Sequence, residues 1–238
     1  MLSTEDKEKL IKNNRKISEL LKENEEILKT AGYKPPVENF AVDYQEKISI
    51  PSGYIRTKDM FYEKYHLREI IDKVHCRRNI SYALQLSDFY NYIANRFFVR
   101  GSVETMFYKN AIINLVSILE ALILDCANNI CCNPDNCKNN KSCPSNFNKN
   151  ERNKVLAALD RMKQLNITTF NDDEINRIKT IIGYRNRVHI RLAPENEFKS
   201  EDFSLNLYNE VIRYLQKICE DIYNNGVPLY YKCKTFDE

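Results

Sequence analysis

Residues 172–192 read DDEINRIKTIIGYRNRVHIRL, and the reading of this run decides the fold. At about 100° per residue, Ile175, Ile178, Ile181, Ile182, Val188 and Leu192 fall on one apolar face, the signature of an amphipathic helix. Asn171, followed three residues later by Glu174, has the form of a capping box at its start. Arg185 and His189 interrupt the middle of that apolar face. They lie four residues apart, so their side chains can meet. Arg177, Thr180, Arg187 and Arg191 take the opposite side. An arginine and a histidine in an apolar stripe require a partner, because an unpaired buried charge is costly. A neighbouring acid, a second subunit and a substrate phosphate all meet that requirement.

Working outward, the helix expected over about 103–130 is apolar around most of its circumference, as the central helix of a bundle is. Glu120 shares a row with Ile113, Val116 and Leu124, so this acid is expected to be paired, with Arg185 as its cation. Further helices are expected over about 58–76, 79–99, 149–165 and 201–225. The last carries Leu207, Val211, Leu215, Ile218 and Ile222 on one face and stops at Asn225-Gly226 before Pro228. A final extended segment is expected over 227–234.

Residues 3–30 are expected to form a separate helical arm, with Ser3 as N-cap and Gly32 past its end. Leu10, Ile17 and Asn24 repeat at seven, and Asn13, Leu20 and Ile27 fill the intervening position. This short heptad pattern has two polar core sites. It suits an arm packed on its own domain or a coiled-coil contact with a second chain. Between arm and domain, Pro35-Pro36 breaks helix and Pro51-Ser52-Gly53 signals a turn, with short strands expected at Lys47–Ile50 and Tyr54–Arg56.

Five Gly and seven Pro in 238 residues are too few for an all-β fold with many tight turns. The net charge of +3 is too small to mark a nucleic-acid binder by itself. Charge is concentrated locally: from Ile175 to Pro194 stand Arg177, Lys179, Arg185, Arg187 and Arg191 without an acid, either a solvated face or a phosphate-binding one. With a polar, lysine-rich N-terminus, no secretory signal is expected. The run from Ala111 to Leu124 is too short and, with Asn114, Ser117 and Glu120, too polar for a membrane span. A cytoplasmic protein with no membrane partner is the expectation.

In the cytoplasm the eight cysteines stay reduced, and a local cluster suggests metal before disulfide. Cys131, Cys132, Cys137 and Cys143 fall within thirteen residues rich in Asn and Lys. Four thiolates satisfy tetrahedral zinc, and the lack of His points to a structural rather than a catalytic ion. The spacing is not a pair of C-x-x-C knuckles, so bound zinc, free thiols and disulfides all remain open. Cys76, Cys219 and Cys233 are scattered, as packing residues are. His66 and His75 match no metal-pair spacing, and no Ser-His-Asp set, phosphate-cradling glycine loop or H-E-x-x-H motif is present.

A helical bundle whose late helix carries Arg-Asn-x-x-His, here Arg185, Asn186 and His189, behind a central helix containing Asn114 to Ile123 (NLVSILEALI), resembles the HEPN family. These are nucleotide-binding and ribonuclease domains of toxins, anti-phage systems and RNA-processing proteins. The resemblance covers roughly 58–225. It implies an all-α, HEPN-like helical bundle at 58–238 with a Cys-rich insertion at 131–148, preceded by the arm (1–32) and a connector (33–57). It further implies a metal-independent endoribonuclease, a toxin or anti-phage defence effector, that works as a homodimer with the focal helices near its two-fold axis. Family members usually leave four to six residues between Arg and His; three separate them here.

In that chemistry His189 acts as general base or acid at the ribose 2′-hydroxyl, Arg185 stabilises charge on the phosphate, and Asn186 orients either group. Arg177, Arg187 and Arg191 contact RNA phosphates, and Glu120 supports Arg185. No cofactor is expected for catalysis. The contrasting expectation is a catalytically inactive HEPN-like module for RNA binding or protein assembly, with a partner on the N-terminal arm. Arg185, Glu120 and His189 then form only a satisfied polar cluster.

Overall fold

In a computed structural model of the chain, the described residues are 3–32, 50–51, 53–71, 73–99, 101–131, 151–185 and 203–226. They form eight helices and no strand: α1 (Thr4–Thr30), α2 (Lys58–Lys64), α3 (Leu67–Ile70), α4 (Val74–Arg96), α5 (Ser102–Cys131), α6 (Glu151–Gln164), α7 (Asp172–Tyr184) and α8 (Leu205–Asn224). The chain divides into two compact units, 1–50 and 51–238. The expected strand at Lys47–Ile50 and the extended tail at 227–234 fall largely or wholly outside the described residues.

In the first unit α1 is one unbroken helix. Ser3 caps it, its side-chain oxygen accepting the Asp6 N–H at 3.1 Å. Gly32 takes the left-handed conformation (φ 92°) just past the end. No residue of α1 is buried.

In the second unit α5 is the axis. It packs against α4, α6, α7 and α8. Ile112, Leu115, Val116, Leu119, Leu122 and Ile123 are all fully buried. Each such aliphatic side chain contributes roughly 1.5–3 kcal/mol on leaving water. By length and composition α5 is also apolar enough to cross a bilayer, but 61% of that stretch is buried among its neighbours, as the core helix of a bundle would be. α8 contributes Leu207, Val211, Leu215, Ile218 and Ile222 to the same core, the row read from the sequence.

Two expectations are corrected. The single helix over 58–76 is instead α2, α3 and the start of α4. His66 adopts a left-handed conformation (φ 50°), which a continuous helix cannot contain, and its ring stacks on Tyr223 at 4.0 Å. The break lets Phe61, Tyr65, Leu67 and Ile70, on both sides of the turn, reach the core together. Tyr54–Arg56 is likewise no strand. There the backbone N–H and guanidinium of Arg56 both donate to buried Asp88 in α4, at 2.6–3.0 Å. That capture turns the segment onto the bundle instead of extending it.

Candidate functional site around Arg185

The residues of α7 explain its position in the bundle. Its N-terminus has the capping box in full: Asn171 Oδ1 accepts the Glu174 N–H at 2.9 Å, and Glu174 Oε2 accepts the Asn171 N–H at 3.0 Å. Ile175, Ile178, Ile181 and Ile182 are buried. The turn before the helix is fixed from α8. Asp221, buried, accepts from the hydroxyls of Thr168 and Thr169 (both 3.0 Å) and from the Thr169 N–H (2.9 Å). Asn166, at φ 55°, turns the chain out of α6.

The basic run looks different in three dimensions. Its three described cations each meet an acid from a different helix. Arg177 forms a two-pronged ion pair with Glu210 of α8, with contacts of 2.8–3.2 Å. Lys179 meets Asp160 of α6 at 2.7 Å. Arg185 meets Glu120 of α5. Planar guanidinium and carboxylate match in shape, which orients the first pair as well as neutralising it. Hydrogen bonding from Arg177 holds the Glu210 carboxyl below its ordinary pKa, and Glu210 in turn raises that of Arg177. Tyr214 donates a further hydrogen bond to Glu210 at 3.0 Å.

Arg185 follows the last residue of α7 as its C-cap (φ −55°, ψ −35°). A cation at a helix C-terminus is favoured by the exposed carbonyls there. Glu120 has only 6% of its side chain exposed, whereas Arg185 has 46%. The expected pairing is therefore present, but Arg185 does not sit in the interior of the apolar face. One nitrogen of the guanidinium meets Glu120 while about half of the side chain stays open to water. The result is a guanidinium at the edge of the bundle, anchored to the central helix.

Asn186, Arg187, His189 and Arg191 lie outside the described residues; of the other expected site residues the structure brings Arg185 and Glu120 together, and places Arg177 apart from them, two turns back along α7 against Glu210. Cys131 is the last residue of α5, and Cys132, Cys137 and Cys143 are outside the described residues. Among the described residues no group of three or more His, Cys, Asp or Glu is placed to hold a metal ion. Cys126 and Cys219 are buried in the core, and burial pushes the Cys219 thiol up.

The sequence reading did not find Glu210, Asp160 or Asp221. Asp221 was detectable by the rule that singled out Glu120, since it sits among Ile218 and Ile222 on the apolar row of α8. Glu210 and Asp160 are flank residues whose partners lie 33 and 19 positions away, and nothing local marks them. With this geometry in hand, no known protein family, curated protein or solved structure matches the chain.

Proposed function

We propose that the chain is a HEPN-like, metal-independent endoribonuclease acting through Arg185, Asn186 and His189. The observation that supports this reading is the half-exposed side chain of Arg185 at the end of α7, its guanidinium held by buried Glu120. A pre-oriented cation next to the following Asn186 is what stabilising a pentavalent phosphate requires. His189 would take the 2′-hydroxyl proton, the 2′-oxygen would attack phosphorus, and the 5′-oxygen would leave with a proton returned to it. Arg187 and Arg191, with Arg177, would supply sequence-independent phosphate contacts. On this reading the protein works in the cytoplasm as a homodimer that brings two Arg185–His189 pairs into one cleft, as a toxin or defence effector. The cysteine loop would carry a structural zinc, and roughly one equivalent of zinc should copurify without added metal.

A second reading is favoured by a specific observation. Arg177, Lys179 and Arg185 are all already paired with carboxylates, which suits a catalytically inactive HEPN-like module whose role is protein assembly, or whose RNA contacts would fall to Arg187 and Arg191. RNA cleavage in EDTA separates the two, with wild type compared with Arg185→Ala and His189→Ala. Loss of cleavage in both variants, with folding retained, supports the nuclease. Equal cleavage by all three proteins identifies a contaminant and ends the enzyme reading. Binding of RNA without cleavage by the wild type selects the second.

A further inference from the structure

The apolar side chains of α1 that repeat in heptads are exposed. Leu10, Ile17, Leu20 and Ile27 are 47%, 52%, 50% and 65% exposed. Four large aliphatic residues in one stripe along a 27-residue helix are not the scattered apolar residues of an ordinary surface. The two remaining positions of the stripe are Asn13 and Asn24.

The charges of α1 are divided along its length. From Lys7 to Lys16 five cations stand with one acid, Glu8. From Glu19 to Glu26 four acids stand with one cation, Lys22. The helix is thus complementary to itself when reversed, and repels itself when two copies run in parallel. We propose that α1 pairs with α1 of a second copy of this chain as a two-stranded antiparallel coiled coil.

The core positions agree with that orientation. In an antiparallel pair each residue of one heptad row faces a residue of the other row. One register sets Leu10 against Ile27, Ile17 against Leu20, and Asn13 against Asn24 of the copy. Every apolar residue then meets an apolar one, and each Asn meets an Asn. Sliding the copy by one heptad sets Asn24 against Leu20, or Asn13 against Ile17, and leaves an amide facing a hydrocarbon. A polar core residue fixes register by that penalty. In the matched register Lys16 flanks Glu23 of the copy, twice per dimer, which adds a directional ion pair to the seam. In a parallel pair the Asn residues also match, but the basic halves lie side by side and Lys16 has no acid opposite. Charge therefore selects the orientation and the asparagines select the register.

The test uses the full chain and measures mass against concentration by sedimentation, with circular dichroism as the folding check. Wild type should associate reversibly, and Ile17→Asp should remove that association step while leaving the protein folded. Glu23→Lys and Lys16→Glu should each weaken association roughly tenfold, since two attractive pairs become repulsive. The double variant Lys16→Glu/Glu23→Lys should recover to within about twofold, because the swapped charges face each other again only when the helices run antiparallel. A wild type that stays monomeric at about 100 µM overturns the proposal and leaves α1 to a different partner. Association unchanged by Ile17→Asp places the contact elsewhere and also overturns it. Failure of the double variant to recover excludes the antiparallel register.

Discussion

Glu120 of α5 and Asp221 of α8 are carboxylates buried to the same degree, each 5% exposed, on the apolar faces of neighbouring helices. They are satisfied by opposite means. Glu120 meets a cation, Arg185, whose own side chain is half in water. Among the described residues Asp221 meets neutral donors, two threonine hydroxyls and a backbone N–H, all from the turn between α6 and α7. The difference divides their roles. A carboxylate wrapped by neutral donors fixes a turn and presents nothing outward. A carboxylate paired to a half-exposed arginine leaves a charged group at the surface with a defined position. The first arrangement is architecture, and the second leaves chemistry available at the end of α7.

The comparison breaks most visibly at Asp221. Truncation by Asp221→Ala strands the buried Thr168 hydroxyl, whereas Thr169, on the exposed side of the turn, can turn its hydroxyl and N–H to water. Hydrogen bonds to a charged acceptor are worth roughly 1.5–3 kcal/mol each, and buried donors left unpaired keep their full desolvation cost. Partial rehydration of the turn returns some of this, so the expected loss is about 3 kcal/mol in urea unfolding. Asp221→Asn keeps the shape and one acceptor oxygen and should lose less than half as much. If both substitutions are neutral, the network does not fix the turn and the contrast with Glu120 disappears.

The same pair shows what was legible in the sequence. A carboxylate in an apolar row announces a partner, because few other arrangements are tolerable, and Glu120 was read on that ground together with its cation. Asp221 carried the same signal. The helices α1, α5, α7 and α8 were legible because long periodic runs and explicit caps such as Asn171 and Glu174 agree with each other. The break at His66 was not, since no Gly or Pro marks it and the left-handed turn is stabilised by the core residues on its two sides. Nor was the fate of the basic run. Its charges are adjacent in sequence, but Glu210, Asp160 and Glu120 that neutralise three of them come from three other helices. Charge patterning reports what a helix carries and not what it meets.

A second way to sharpen the contrast is to break the Arg185–Glu120 pair from each end. The two partners differ in exposure, 46% against 6%, so the two truncations are not equivalent. Arg185→Ala removes the charge that offsets a buried carboxylate and should cost about 2 kcal/mol, below the range for fully buried pairs because water reaches the arginine side. Glu120→Gln leaves an arginine that water can solvate and a neutral amide in the core, and should cost about 1 kcal/mol. The order is the decisive measurement. If Glu120→Gln costs more than Arg185→Ala, the carboxylate is held chiefly by groups other than Arg185, and the exposed guanidinium loses its claim to a fixed position.

A third carboxylate, Asp125, five residues beyond Glu120 on α5, extends the series to an effect read as a dependence on pH. Burial raises its pKa to about 7, and the charge of Lys73 opposes the shift without cancelling it. In the unfolded chain an aspartate titrates near 3.9. The folded state therefore holds a proton that the unfolded state has released whenever the pH lies between these values. The resulting stabilisation is complete below about pH 4 and is lost as pH rises to about 7. Asp125→Asn never ionises, so the variant should gain in Tm relative to wild type as pH is raised from 4 to 7, and the difference should level off above 7. Taking the difference between the two proteins removes the titrations they share, including those of Glu210 and Glu174, whose pKa values are lowered by Arg177 and Lys217 and which act with the opposite sign. A difference that is flat or falls over that range would mean that Asp125 is charged in the fold, compensated as fully as Glu120. The three acids would then no longer separate by what surrounds them.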